Sequence, residues 1–200
     1  MTPDASVGEA ASLLIVAAND LPNAPDFASL SAWAGAGRVI RAEAANVAGW
    51  RLPRAQKAAL TSCGVPLLDD IVDMTLFAAQ PQDGTYRLAR TRGDLHWPGY
   101  TYLAEPDLGL VSVLEPSTRQ VRFVNSSINH WLCSLHLVGT WFSNSTAIQT
   151  WDEDEAMEGV ALAELADLLQ RIRHLDPHAY GDVGDHETHF WPAVLDRWLY

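Results

Sequence analysis

The feature that most constrains the fold is a change of hydrophobic period close to Asn125. Before this residue, apolar and polar side chains alternate, which indicates a strand with one buried face. After it, apolar residues recur every three or four positions and form one helical stripe, comprising Ile128, Trp131, Leu132, Leu135, Val138 and Phe142. Asn125, Ser126 and Ser127 lie at the junction, where a side-chain oxygen can accept a hydrogen bond from an unpaired first-turn N–H. We therefore predict a strand that leads directly into a capped helix over residues 127–142.

The alternating pattern extends well upstream of that junction. Four segments have a period of two residues, at 85–90, 100–103, 110–114 and 119–124. The last two are joined by a short connection with Pro116 at its second position, which is typical of a turn between hairpin strands. We therefore predict an antiparallel meander over about residues 85–124.

Helical patterns lie on both sides of the meander. We predict helices over residues 8–18, 26–34, 53–62 and about 151–174, and leave residues 39–48 open between strand and helix. Pro53 suits a first helical position, and Gly64 lies where a left-handed C-cap is expected. Asp176 and Pro177 end the long helix, and the aromatic segment 190–200 should dock on the body. These patterns predict helices before and after the antiparallel meander.

The net charge narrows the classes of partner. With 25 acidic and 13 basic residues the formal charge is −12, and such a chain repels the phosphate backbone of nucleic acids. Residues 150–200 hold twelve of the acids and only three arginines, so the negative charge is concentrated towards the C-terminus. This distribution favours a basic protein partner, although an acidic surface can also serve solubility alone.

Cysteine content and hydropathy indicate the cellular setting. Cys63 and Cys133 are far apart in the chain and form no C-x-x-C pair, which favours reduced thiols over a disulfide framework or a zinc site. The apolar run at residues 10–18 follows Asp4 and Glu9 without a preceding basic segment, so we expect no signal peptide. Because no run of about eighteen apolar residues occurs, we expect a cytoplasmic protein that does not bind a membrane.

Several short motifs occur in order along the chain. They are G-V-P at 64–66, L-E-P-S-T at 114–118, F-V-N-S-S at 123–127, D-P at 176–177 and F-W-P at 190–192. In this combination they resemble the SUKH superfamily, and most closely its fourth subfamily of bacterial immunity proteins. The residues that carry the structural part of the resemblance are Gly64, Pro66, Asn125, Ser126, Ser127, Trp191 and Pro192.

The resemblance implies an α+β fold with a central, mostly antiparallel sheet flanked by helices. It also implies a role in neutralising, by binding, the toxin domain of a polymorphic or contact-dependent toxin system. It covers about residues 50–200, so we predict a SUKH-like domain at 51–200 and a helical extension at 1–50 that packs on it. The chain departs from the family pattern in two places. Arg119 stands where members usually carry a glycine, and the stretch before residue 123 is short, so one strand should be shortened or missing.

Tryptophans and acidic residues are the candidates for a toxin-binding surface. Four of the eight tryptophans are expected in the core or at its edge, namely Trp131, Trp141, Trp191 and Trp198. The predicted partner-binding residues are Trp97, Trp151, Asp152, Glu153, Asp154 and Glu155. In this hypothesis the acids steer a basic toxin face towards the protein. The alternative is that they only complement the helix dipole at the start of the long helix.

A metal-dependent hydrolase is the main alternative function. Side chains of metal-ligand type are concentrated in one segment, comprising His174, His178, Asp182, Asp185, His186, Glu187 and His189. However, His186 and His189 are three residues apart, whereas the H-E-x-x-H helix aligns two ligands through a spacing of four. Gly181 and Gly184 further indicate a loop. We therefore predict neither a metal nor another cofactor.

Other residues of catalytic type have simpler explanations. No G-x-S-x-G elbow surrounds Ser126 and Ser127, and His130 and His136 are spaced too far apart to share a helix face. The basic residues are concentrated at Arg87, Arg90, Arg92, Arg119 and Arg122. We expect these arginines on a solvated sheet face or in ion pairs with the acidic C-terminal region, not in a nucleic-acid surface.

The sequence therefore predicts a monomeric, non-catalytic immunity protein that binds a cognate toxin domain, such as a basic nuclease or deaminase, one to one. A regulatory protein-binding scaffold is a further alternative.

Overall fold

The computed structural model describes residues 21–80, 84–93, 99–151, 154–181 and 187–195. Its helices are α1 Phe27–Ala34, α2 Ala44–Ala48, α3 Arg54–Ala58, α4 Ile128–Asn144, α5 Thr146–Thr150, α6 Glu155–Leu175, α7 Pro177–Tyr180 and α8 Phe190–Leu195. Its strands are β1 Val39–Ile40, β2 Val65–Pro66, β3 Met74–Ala79, β4 Tyr86–Arg90, β5 Thr101–Ala104, β6 Val111–Leu114 and β7 Val121–Asn125. The predicted α+β class and the central antiparallel sheet are confirmed.

The main sheet is an antiparallel meander with the order β3-β4-β5-β6-β7 among the described strands. Residues paired across neighbouring strands share a face. One row, with Ala89, Tyr102 and Val113, is buried, whereas the adjacent row of Arg90 and Thr101 is exposed or half-buried. The sheet therefore has an inner face towards the core and a more polar outer face.

Helices α4 and α8 supply the aromatic centre of the core. The ring of Tyr102 on the inner sheet face lies 5.1 Å from that of Trp131 and 5.5 Å from that of Phe190. Trp131, Trp191 and Tyr102 are fully buried, and burying an aromatic side chain of this size stabilises a fold by about 2–3 kcal/mol. The expected docking of the C-terminal segment is thus confirmed for residues 190–195.

The structure adds two elements that the sequence patterns did not indicate. Strand β3 extends the meander upstream of residue 85, so the sheet begins at Met74. Helix α5 occupies the polar stretch after α4, where Ser145 accepts a hydrogen bond from the backbone N–H of Ile148 as its N-cap. The undecided segment 39–48 contains both candidate structures, since β1 is followed by α2.

The helix predicted at residues 53–62 differs in its detail. Pro53 precedes α3 as its N-cap residue, and α3 continues as a π-helical turn over Ala59–Cys63. Gly64 has a positive φ of 88°, but its ψ of 175° is extended, so it is not a left-handed cap. A Cβ there would lie 2.9 Å from Cγ of Arg41 and 3.1 Å from the carbonyl oxygen of Ile40, which also explains the glycine.

The described part of the N-terminal region packs on the rest of the molecule. Strand β1 pairs with β2, and the Trp33 indole of α1 lies against α4 at Gly139. The predicted helix at residues 8–18 lies outside the described residues, and the division of the chain at residue 50 stays a prediction. No helix in the described ranges is long and apolar enough to cross a membrane.

Candidate functional site

The F-V-N-S-S motif forms a buried polar cluster with Asp176. The Asp176 carboxylate accepts hydrogen bonds from Asn125 Nδ2 at 3.0 Å, from the Ser126 backbone N–H at 2.7 Å and from Ser126 Oγ at 2.8 Å. Asn125 also donates to Ser134 Oγ and accepts from Trp191 Nε1, each within 3.1 Å. Asn125 and Asp176 are almost fully buried, so every one of these bonds replaces a lost contact with water. The cluster therefore ties β7, α4, the end of α6 and α8 together.

Ser127 alone is the N-cap of α4. Its Oγ accepts a hydrogen bond from the backbone N–H of His130 at 3.2 Å, as a capping serine does. The same Oγ lies 2.8 Å from His130 Nδ1, so the two side chains form a serine–histidine pair. Burial lowers the pKa of His130 below its usual value, against an opposing effect of Asp176. Ser127 is 1% exposed and His130 8%, which leaves a substrate no approach to the hydroxyl in this arrangement.

The remaining structural motif residues also lie in the core. Pro66 is buried and pairs with Val39 across the small sheet, while Pro192 is buried in α8. The segment before α8 covers the β7 edge of the main sheet, because the Phe123 N–H donates to the carbonyl oxygen of Thr188 at 2.9 Å. The motifs that carry the family resemblance thus serve the fold.

Only part of the predicted partner-binding surface falls in the described residues. Trp97, Asp152 and Glu153 lie outside them. Trp151 is half-buried and packs against the core, so it is not a fully exposed anchor. Asp154 is exposed and its Oδ1 accepts from the Ala156 N–H at 2.9 Å, which makes it the N-cap of α6. Glu155 is the first residue of α6.

The histidine-rich segment is described only at its ends. Asp182, Asp185 and His186 lie outside the described residues. His174 and His178 are exposed, while Glu187 and His189 lie beside the β7 edge. Within the described residues, no group of three or more His, Cys, Asp or Glu side chains could hold a metal ion. The metal alternative therefore gains no support from the part of the segment that is described.

The cysteines and the second histidine of α4 are poorly suited to act as nucleophile or base. Burial raises the pKa of Cys133 to about 11, so its thiol stays protonated at neutral pH. Burial also raises the pKa of Cys63. His136 accepts a hydrogen bond from Trp33 Nε1 at its Nδ1 atom, and burial lowers its pKa, as does the nearby charge of Arg171.

Two residues outside the F-V-N-S-S motif, Gln56 and Asp176, have structural roles that sequence patterns did not reveal. Gln56 on α3 is buried, donates to the carbonyl oxygen of Leu108 and accepts from the Ile128 N–H at 3.1 Å. Asp176 was recognised only as a helix terminator, although it lies fifty residues from Ser126 and binds it. Both partnerships are long-range, so no local periodicity could have indicated them.

The protein therefore has an α+β fold in which the F-V-N-S-S motif forms part of a buried polar cluster. A family model described as SUKH-4 immunity protein matches residues 25–197. The chain therefore belongs to the SUKH-4 immunity protein family, as its motifs implied, and the match also includes residues 25–50. Neither the curated proteins nor the solved structures provide a match to the chain.

Proposed function

We propose that this protein neutralises a cognate toxin domain in the cytoplasm by binding it and occluding its active site, without catalysis of its own. The observation that carries the proposal is membership of an immunity protein family over residues 25–197. Binding a macromolecule requires surface complementarity, and the charge of −12 favours a basic face on the toxin, such as that of a nuclease or a deaminase.

The start of α6 is the proposed steering surface. Asp154 and Glu158 are exposed there and, four residues apart, lie on the same side of the helix. Asp152 and Glu153 precede them directly in the sequence, and half-buried Trp151 supplies an adjacent apolar side chain. A concentration of negative charge beside a partly exposed tryptophan suits long-range attraction followed by short-range packing.

Co-expression is the direct test of neutralisation. The toxin domain encoded beside this gene should stop growth when expressed alone, and this protein should restore growth and co-purify with the toxin. If it neither restores growth nor co-purifies with any toxin encoded nearby, the proposal is wrong. Catalytically inactive toxin should co-purify equally well, because the proposal depends on binding only.

Charge reversal tests the role assigned to the acidic run. We expect the double variant Asp152→Lys and Glu153→Lys to slow association about tenfold at low salt, and much less at high salt, where screening removes steering. It spares Asp154, which caps α6. The matched control reverses Glu43 and Glu105, both exposed and remote from α6 in the sequence. Equal slowing by both variants would show that only total charge matters.

A further inference from the structure

A cleft at one end of the main sheet contains two arginines, Arg90 and Arg92. It has a volume of about 550 Å³ and lies between the end of β4, the start of β5 and the turn that joins β6 to β7. Its lining comprises Arg90, Thr91, Arg92, Gly93, Gly99, Tyr100, Thr101, Pro116 and Ser117. All of these are described residues, and the argument below uses only them.

The floor of the cleft is held by hydrogen bonds between its own backbone segments. The Thr91 N–H donates to the Tyr100 carbonyl oxygen at 2.9 Å, and the Tyr100 N–H donates back to Thr91 Oγ1 at 2.7 Å. Both side chains are more than nine-tenths buried. Gly99 is required here, since a Cβ would lie 2.7 Å from the Gly93 nitrogen. The cleft is thus formed before any ligand binds, which lowers the entropic cost of binding.

Two guanidinium groups at the cleft lack a carboxylate partner. Among the described residues, the ion pairs join Arg38 to Asp69, Arg51 to Asp107 and Arg122 to Glu115. In contrast, Arg90 donates only from Nε, to Met74 Sδ at 2.6 Å. The Arg92 guanidinium has no polar partner within the described ranges, and both arginines are exposed.

The described carboxylates beside the cleft are already engaged. Asp73 accepts hydrogen bonds from the Arg92 backbone N–H at 2.6 Å and from the Asp70 N–H at 3.3 Å. Glu115 accepts from Ser117 Oγ at 2.7 Å and pairs with Arg122 on the other side. Among the described residues, no carboxylate therefore accepts from the side-chain donors of Arg90 and Arg92, and these donors face the cleft where an external anion could bind.

We propose that this cleft binds an acidic segment of the toxin, with Arg90 and Arg92 each donating to an aspartate or glutamate carboxylate. The inference rests on the proposed function, because it assigns a second contact of the same complex. Guanidinium groups present paired N–H donors that match a carboxylate in both spacing and plane. The protein would then hold the toxin at two points of opposite charge, which fixes the orientation of the complex.

An acidic peptide fits the cleft better than a nucleic acid does. A long polyanion would be attracted by two arginines but repelled by the net charge of −12 on the rest of the protein. A short acidic segment is close enough only to the two arginines, because charges further away are screened by salt. Among the described lining residues the one aromatic side chain, Tyr100, is 8% exposed, so it offers no face on which a base can stack.

The cleft can be tested without the toxin by nuclear magnetic resonance with an acetylated, amidated Glu-Glu dipeptide. The backbone amide signals of Gly93, Gly99 and Thr101 should shift saturably with this probe, and not with Gln-Gln of the same shape. The double variant Arg90→Gln and Arg92→Gln should abolish the shifts. The proposal would be overturned if Glu-Glu produced no shifts, if Gln-Gln produced the same shifts, or if inorganic phosphate produced shifts and Glu-Glu did not.

The affinity for the toxin domain is the second test of the cleft. The same double variant should weaken the dissociation constant for the neighbouring toxin domain at least about tenfold. Its matched control, Arg54→Gln with Arg171→Gln, removes two exposed arginines elsewhere and should stay within about twofold of the wild type. Equal weakening by both variants would overturn the cleft assignment. If wild-type protein binds no toxin, the proposed function fails while the dipeptide result still decides the cleft.

Discussion

Asp176 shows how much of this fold depends on single polar residues. Its carboxylate accepts three hydrogen bonds from Asn125 and Ser126, and Asn125 in turn binds Trp191 of the C-terminal helix. A buried donor that loses its acceptor costs about 1–3 kcal/mol, so one carboxylate stabilises several elements at once. Asn125 and Ser126 of the F-V-N-S-S motif therefore stabilise the fold mainly as hydrogen-bond donors to Asp176.

We expect Asp176→Ala to lower the free energy of unfolding by about 3 kcal/mol, because it removes the acceptor of one N–H of the buried Asn125 amide and of the hydroxyl and backbone N–H of half-buried Ser126. Ser126→Ala removes one donor together with its bond and should cost only about 1 kcal/mol. Urea denaturation of both variants measures the difference. Similar losses for the two variants would contradict the central role of Asp176.

Arg119, where the resemblance led us to expect a glycine, has a backbone conformation that favours glycine. Its φ of 61° lies in the left-handed region, which costs a residue with a Cβ about 1 kcal/mol. We expect Arg119→Gly to raise the free energy of unfolding by up to about 1 kcal/mol relative to Arg119→Ala, which removes the same charge but keeps the Cβ. A thermal unfolding series in which alanine equals or exceeds glycine would contradict this explanation.

At the scale of elements, the longer helices and the later strands were predictable because their apolar residues repeat regularly. Strand β3 was not predictable, because none of its residues is buried and the side chains therefore show no contrast between an inner and an outer face. A bulge between Thr75 and Ala78 also breaks the alternation. Phe77 within it has a φ of 42°. The cleft could not be predicted either, because Arg92 and Ser117 are far apart in the sequence and come together only in the folded sheet. The concentration of arginines near Arg92 was recognised from the sequence.

The contact between α1 and α4 depends on a glycine. A Cβ on Gly139 would lie 2.3 Å from the Trp33 ring, whereas a Cβ on Gly159 in α6 would meet nothing within 4 Å. We expect Gly139→Ala to destabilise the protein by about 1–3 kcal/mol by displacing Trp33. Gly159→Ala should stabilise it by up to about 1 kcal/mol through helix propensity. Chemical denaturation gives both values, and a stabilising Gly139→Ala would contradict the packing of α1.

The same contact should make stability depend on pH. The pKa of folded His136 is lowered by burial from its ordinary value of 6.5, so below that pH the unfolded chain takes up a proton first. The free energy of unfolding should be independent of this group above pH 6.5 and fall as the pH decreases through 6 towards 5. His136→Asn, which can still accept from Trp33, should reduce that slope. An unchanged slope in denaturation measured from pH 7 to 5 would contradict this.

At the scale of the whole molecule, charge is distributed unevenly over a fixed scaffold. The acids are concentrated in the C-terminal quarter, while Arg90 and Arg92, which have no carboxylate partner among the described residues, line a cleft at one end of the sheet. Family membership supports an immunity role, and the two surfaces are our proposed contacts with the toxin. Sequence alone indicated the family and the acidic run, but not the cleft, because the cleft depends on the tertiary arrangement.

The central claim is that the protein neutralises its toxin by stoichiometric binding. The most direct measurement is a titration of toxin activity at a toxin concentration well above the dissociation constant. We predict that activity falls linearly and reaches zero at one equivalent of this protein, without dependence on incubation time, and returns when the complex is dissociated. Time-dependent loss of toxin activity at a small fraction of one equivalent would instead show that the protein acts as a catalyst, and would contradict the account.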